Sequence, residues 1–153
     1  MRKLSLLGAF ALLASGCGSD DGSKTATRNA RLDASAARFV VGLQADLRRG
    51  RFDRAWRSLH PAERRVVSAE RLASCYPRNR YPRTVTFSAS KVRDVSWHVP
   101  GTDGLRDAEA VTVTARARGQ TIETFEQHIV RSGGSWQWML SRDFFDRARR
   151  GSC

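Results

Sequence analysis

Ser132-Gly133-Gly134-Ser135-Trp136-Gln137-Trp138 decides how the rest of the chain is read. Paired glycines supply the positive φ of a tight hairpin turn. After them Trp136, Trp138 and Leu140 alternate with the two-residue period of a strand. The partner strand runs back from the turn over Thr121 to Arg131. Before it, Val111, Val113, Ala115 and Ala117 alternate up to a turn at Gly119-Gln120, and the turn-rich Pro100-Gly101-Thr102-Asp103-Gly104 leads into them. Still earlier, Val85, Phe87 and Ala89, then Val95, Trp97 and Val99, keep one phase through a long extended stretch. Lys91 and Arg93 occupy that same apolar phase, which predicts a bend or bulge between the two halves. Consecutive strands joined by short turns make an antiparallel meander.

Upstream of Tyr81 the period is helical. Leu32, Ala36, Phe39, Val40, Leu43 and Leu47 form one apolar stripe, and Gly50 follows as a C-terminal cap. Phe52, Ala55, Trp56 and Leu59 repeat the pattern in a shorter helix that Pro61 stops after His60. Ser68 caps a third helix reaching about Cys75, and a short helical tail follows the last strand. Helices first and a meander afterwards predict an α+β domain, with N-terminal helices packed on a strongly curved, cone-like antiparallel sheet.

This order resembles the nuclear transport factor two-like superfamily over about residues 31–142. The resemblance rests on Gly50-Arg51-Phe52-Asp53-Arg54-Ala55-Trp56, on Leu59-His60-Pro61 and on the terminal glycine-tryptophan hairpin, and it is closest to small exported members found in lipoproteins. It implies a cone whose helices cover a bent sheet. Catalytic members of the superfamily place acids, tyrosines or histidines inside that cone. Tyr76 and Tyr81 fall in or beside a loop instead, so no catalytic residue is carried over.

The N-terminus has the anatomy of an export signal. Arg2 and Lys3 form the positive region, Leu4 to Leu13 the apolar run, and Ala14-Ser15-Gly16 the small residues before cleavage. An apolar run of about ten residues is too short to span a bilayer, which needs ~20. The cysteine that follows resembles the lipobox of bacterial lipoproteins, which implies that Cys17 carries lipid. The expected organisation is residues 1–16 as signal peptide, 17–30 as lipidated cysteine and flexible tether, and 31–153 as the domain. Its expected address is extracytoplasmic, lipid-anchored on the outer face of the cytoplasmic membrane.

The whole chain carries a net charge of +12, and loss of Arg2 and Lys3 with the signal leaves +10. Arginine greatly outnumbers lysine, but the arginines are scattered and form no dense tract. Anionic lipid or cell-wall polymer is a fitting partner for a basic surface, codon bias of a G+C-rich genome is the blander source of the arginines, and nucleic acid does not fit an exported address. Once Cys17 is lipidated, Cys75 and Cys153 are the pair available for a disulfide. A free Cys75 beside an exposed Cys153, or an intermolecular bridge through Cys153, are the alternatives.

Glu126 and His128 lie two apart on the third strand and share a face, so a carboxylate could orient a histidine as a general base. With Trp56, Trp97 and Trp138 they form the candidate pocket. The opposite phase, with Phe125 and Ile129 inward, is equally apolar and leaves Glu126 and His128 in water, which weighs against catalysis. His60 reads as a dipole partner at a helix C-terminus, and His98 abuts a turn. No metal-ligand spacing, nucleophile elbow or phosphate loop is present in the sequence, and no cofactor is expected.

The expected function is a non-catalytic small-ligand-binding or protein-interaction module at the cell envelope. The alternatives are a small-molecule isomerase or dehydratase using the cone cavity, and an arginine-rich binder of anionic lipid or wall polymer. Apolar strand residues are numerous enough for a homodimer through the exposed sheet face.

Overall fold

The computed structural model describes residues 21–76 and 81–153. The expected signal segment and Cys17 lie outside the described residues. The fold is α+β: four helices, α1 (Asp21–Arg48), α2 (Phe52–Arg57), α3 (Pro61–Arg64) and α4 (Ala69–Cys75), precede a four-stranded antiparallel sheet, and α5 (Arg142–Arg150) follows it. The strands are β1 (Thr86–His98), β2 (Leu105–Ala117), β3 (Gln120–Ser132) and β4 (Ser135–Trp138), paired in chain order.

Helix α1 begins well before the Leu32 at which the apolar stripe starts, so residues 21–30 are helical where a tether is expected. No proline interrupts Asp21–Arg48, and apolar spacing marks only the portion of a helix that packs. That portion carries Ala36, Val40, Leu43 and Leu47, all buried against the sheet and the shorter helices. Each large aliphatic side chain there stabilises the fold by ~1.5–3 kcal/mol relative to exposure. Gly50 then adopts φ +72° and its N–H reaches Leu47 O at 3.1 Å, which ends the helix.

Pro61 starts a helix and does not stop one. Helix α2 ends at Arg57, earlier than the expected stop after His60, because Ser58 caps it and Leu59 bridges to Trp138, while Pro61 occupies the first turn of α3, where its missing N–H costs nothing. The His60 side chain accepts the Ala62 N–H at 3.3 Å. His60 therefore caps a helix N-terminus, a correction to its expected place at a C-terminus. Burial, with Arg106, Arg65 and Arg64 nearby, lowers its pKa and favours the neutral imidazole that an acceptor requires.

The charges inside the apolar phase of β1 mark a bulge. Ser90 pairs with Thr112 and Val92 with Val111, so Lys91 is the extra residue, at φ +50°. The insertion flips the phase of the strand. Phe87, Ala89 and Val92 pack against the main core, whereas Val95 and Trp97 turn to the other face and join Val99, Ala108 and Met139. The single face expected for Val85 to Val99 is thus divided between two apolar clusters.

Strand β4 is only four residues long. Its far side is covered by the α2–α3 connection, where Trp138 N–H reaches Ser58 O at 3.0 Å and His60 N–H reaches Trp138 O at 2.9 Å. Helix α5 closes the domain and is tied to α4 by a Cys75–Cys153 disulfide with a Cα–Cα distance of 4.8 Å. Arg71 adds a second tie, its guanidinium donating to Ala148 O at 3.1 Å and Arg149 O at 3.2 Å.

Candidate functional site

Beyond Ile129, which faces Trp138, strand β3 continues to Gln120 with no described strand on that side. Met139 N–H makes one more contact, to His128 O at 3.1 Å, and the chain then departs toward α5. This departure opens a cleft of about 240 Å³ beside Phe125, Glu126, Gln127 and His128. Leu47 and Gln44 of α1 close one side, and Tyr76, Phe144 and Trp138 add aromatic wall.

The polar floor is a glutamine relay. Gln44, almost wholly buried on α1, donates its amide to Gln127 Oε1 at 3.2 Å. Gln127 in turn donates to Met139 O at 3.0 Å and to His128 O at 3.2 Å. These bonds fix the orientation of both amides and tie the open edge of β3 to the departing strand. Neither glutamine is among the candidate residues read from the sequence. The available signal is positional: Gln44 interrupts the apolar stripe between Val40 and Leu47, and Gln127 stands in the buried phase between Phe125 and Ile129.

His128 lies on the opposite sheet face from Phe125 and Ile129, stacked on Trp97 with ring centroids 3.4 Å apart and planes 16° apart. Burial lowers its pKa, Glu126 opposes that shift, and Arg93 adds to it. The neutral imidazole can donate one hydrogen bond and accept another. The Trp97 indole N–H is sealed from solvent and finds no acceptor among the described residues.

Glu126 is occupied by a different partner from the one its spacing implies. Arg93 donates to both carboxylate oxygens, at 2.8 and 2.9 Å, and holds its carboxyl below the usual range. No hydrogen bond joins Glu126 to His128 among the described residues, so the imidazole is not oriented by a carboxylate as a general base would be.

Of the five pocket residues read from the sequence, Trp97, Glu126, His128 and Trp138 border this one cleft. Trp138 serves as wall, its indole N–H bonded to Ala55 O at 2.7 Å. Trp56 stands apart, donating to Val67 O at 2.7 Å beneath the Arg64 guanidinium. Trp136 also lies away from the cleft and donates to Ser35 Oγ at 3.0 Å.

No protein-family model matches the chain, and neither a curated protein nor a solved structure matches it.

Proposed function

We propose that the protein is a lipid-anchored, exported binding module that holds a small molecule in the cleft at the open edge of β3. The lipobox-like Leu12-Leu13-Ala14-Ser15-Gly16-Cys17 supports the address. The cleft supports the binding: its 240 Å³ sits just below the ~300–1,000 Å³ of drug-sized pockets. Aromatic walls around a few fixed polar groups are the usual composition of such sites. The single observation that carries the reading is the Gln44–Gln127 relay, whose amides line the same cleft as Trp97 and His128 although they stand on the opposite face of β3.

A nuclear transport factor two-like architecture belongs to the same proposal. The sequence of helices and meander supports it, although the sheet is not strongly curled. The ligand therefore sits at the sheet edge and not deep inside a cone. Binding is favoured over general-base catalysis because Arg93, not His128, occupies the Glu126 carboxylate.

The experiment is native mass spectrometry of the protein purified from its membrane, compared with a denatured sample. A bound small-molecule mass that disappears on denaturation, and that is depleted in Gln127→Ala, supports the proposal. A bare protein in both wild type and variant overturns it.

A further inference from the structure

A second, larger cleft of about 960 Å³ lies where the end of α1 meets the start of β1. Three arginines line it, Arg48, Arg49 and Arg83, together with the rings of Phe52 and Tyr81. Arg54 and Arg51 pair with Asp46 at 3.1 and 3.6 Å and Arg93 pairs with Glu126, but most described arginines have no ion pair, so what distinguishes Arg48, Arg49 and Arg83 is that they gather around one cleft whose described lining holds no carboxylate. Among the described residues no carboxylate pairs with Arg48, Arg49 or Arg83. Asp46, the acid one turn back on α1, is already shared between its two partners.

The carbonyls of the last turn of α1 do not absorb this charge either. Ala45 O accepts the Arg49 N–H, Asp46 O the Arg51 N–H and Leu47 O the Gly50 N–H. Arg48 is held in place by the backbone it spans. Its guanidinium donates to Arg83 O at 2.9 Å and to Val85 O, and lies over the Phe87 ring. Its Nε is buried and has no acceptor among the described residues. One guanidinium fixed on backbone carbonyls and two exposed ones border the same concavity and add their positive potentials there.

Guanidinium forks match the tetrahedral oxygens of phosphate in a bidentate manner. Aromatic rings beside the cations suit an organic group attached to it. Tyr81 lines the cleft, its hydroxyl donating to the Glu123 carboxylate and its mostly buried ring set edge-on to Phe87. We infer that this cleft binds a phosphate ester, with Arg48, Arg49 and Arg83 holding the phosphate and Phe52 and Tyr81 packing the organic part. The site is separate from the glutamine relay, and its existence does not depend on what that cleft holds.

The test is calorimetric titration of the full chain in non-ionic detergent at physiological ionic strength. The probes are glycerol 3-phosphate and monomeric dihexanoyl phosphatidylglycerol. Saturable one-to-one binding is expected, weakened about tenfold or more by Arg49→Gln and by Arg83→Gln. Arg65→Gln, just after α3, and Gln127→Ala are expected to leave it unchanged. Tighter binding of the lipid assigns the phosphate to a membrane headgroup, and equal or tighter binding of glycerol 3-phosphate assigns it to a soluble ester. No saturable binding of either probe overturns the inference. So does binding that survives both cleft substitutions, or that falls equally with Arg65→Gln.

Discussion

The carboxylate of Glu63 on α3 is fully buried and accepts the backbone N–H of Leu140, with both oxygens 3.2 Å from the nitrogen. No cation is paired with it among the described residues. Burial raises its pKa from 4.5 to about 8, and the hydrogen bond only partly opposes this.

The sign of the resulting pH dependence follows from linkage. A carboxyl whose folded pKa is raised binds its proton more tightly when folded, so stability falls as pH rises from the unfolded value of about 4.5 and levels off above about 8. At 1.36 kcal/mol per unit the loss is up to roughly 5 kcal/mol. Glu63→Gln retains an acceptor for Leu140 and removes the ionisation. Denaturant titrations between pH 4 and 9 are expected to show a flatter profile for the variant and higher stability than wild type at pH 8. An unchanged profile would assign the slope to another group.

The Cys75–Cys153 bond closes a long loop, with a sequence separation of 78. Loss of such a crosslink costs about 2–5 kcal/mol. Cys153→Ser is therefore expected to melt about 10 °C lower, given ~2–4 °C per kcal/mol at this chain length. Because Arg71 still holds Ala148 O and Arg149 O, the far-ultraviolet helical signal below the transition is expected to persist. A melting point unaffected by reductant would contradict the crosslink's contribution.

Lys91 adopts φ +50°, a region costly for a side chain with a Cβ and free for glycine. Lys91→Gly is expected to be neutral or to stabilise by about 0.5–1 kcal/mol in urea titrations. Deleting Lys91 removes the bulge and sends Val95 and Trp97 toward the opposite face. That variant is expected to lose the Trp97–His128 stack, read as altered tryptophan fluorescence, and most of its stability. Retention of both would place the phase change elsewhere in β1.

The charges around His128 act on it with opposite signs. Removing Glu126, which raises its pKa, should move the titration midpoint further below 6.5, and removing Arg93, which lowers it, should move the midpoint up. Proton resonance titrations of Glu126→Gln and Arg93→Gln read both directions in one experiment. Shifts of equal sign would show that the two residues act on His128 through structure and not through charge.

The element order was legible because each element repeats its own period. Val40, Leu43 and Leu47 announce α1 as plainly as Val111 and Val113 announce β2. Lys91 and Arg93 even pointed to the bulge, since a charge in an apolar phase needs somewhere to go. The change of face that the bulge imposes on Trp97 was not legible, because a single extra residue in one strand is resolved only by knowing its partner. The start of α1 is not legible for a related reason: residues outside the packed stripe carry no periodic signal. His60 sits at the helix end opposite to the one its spacing implies, because a proline signals a stop and a start equally well.

The candidate site was half legible. Glu126, His128, Trp97 and Trp138 announce themselves by residue type, and they do meet at one cleft. Their roles depend on partners distant in sequence. Arg93 reaches Glu126 across β2, and Gln44 meets Gln127 from a helix more than eighty residues away. No local spacing encodes either encounter. The same holds for Arg48 and Arg83, which become neighbours only when α1 is laid beside the start of β1.

The division of β1 between two apolar clusters gives the domain unequal rigidity. Its first half is locked into the large cluster of Val40, Leu59, Leu72 and Val113, but its second half leans on the small one formed by Val99, Ala108 and Met139. Opening the small cluster exposes little apolar surface, so it requires far less free energy than global unfolding. Trp97 and His128 therefore stand on the part of the sheet that can breathe while the helical core stays closed. Backbone amides near Val95 and Val130 would exchange with solvent through this local opening long before those beneath α1.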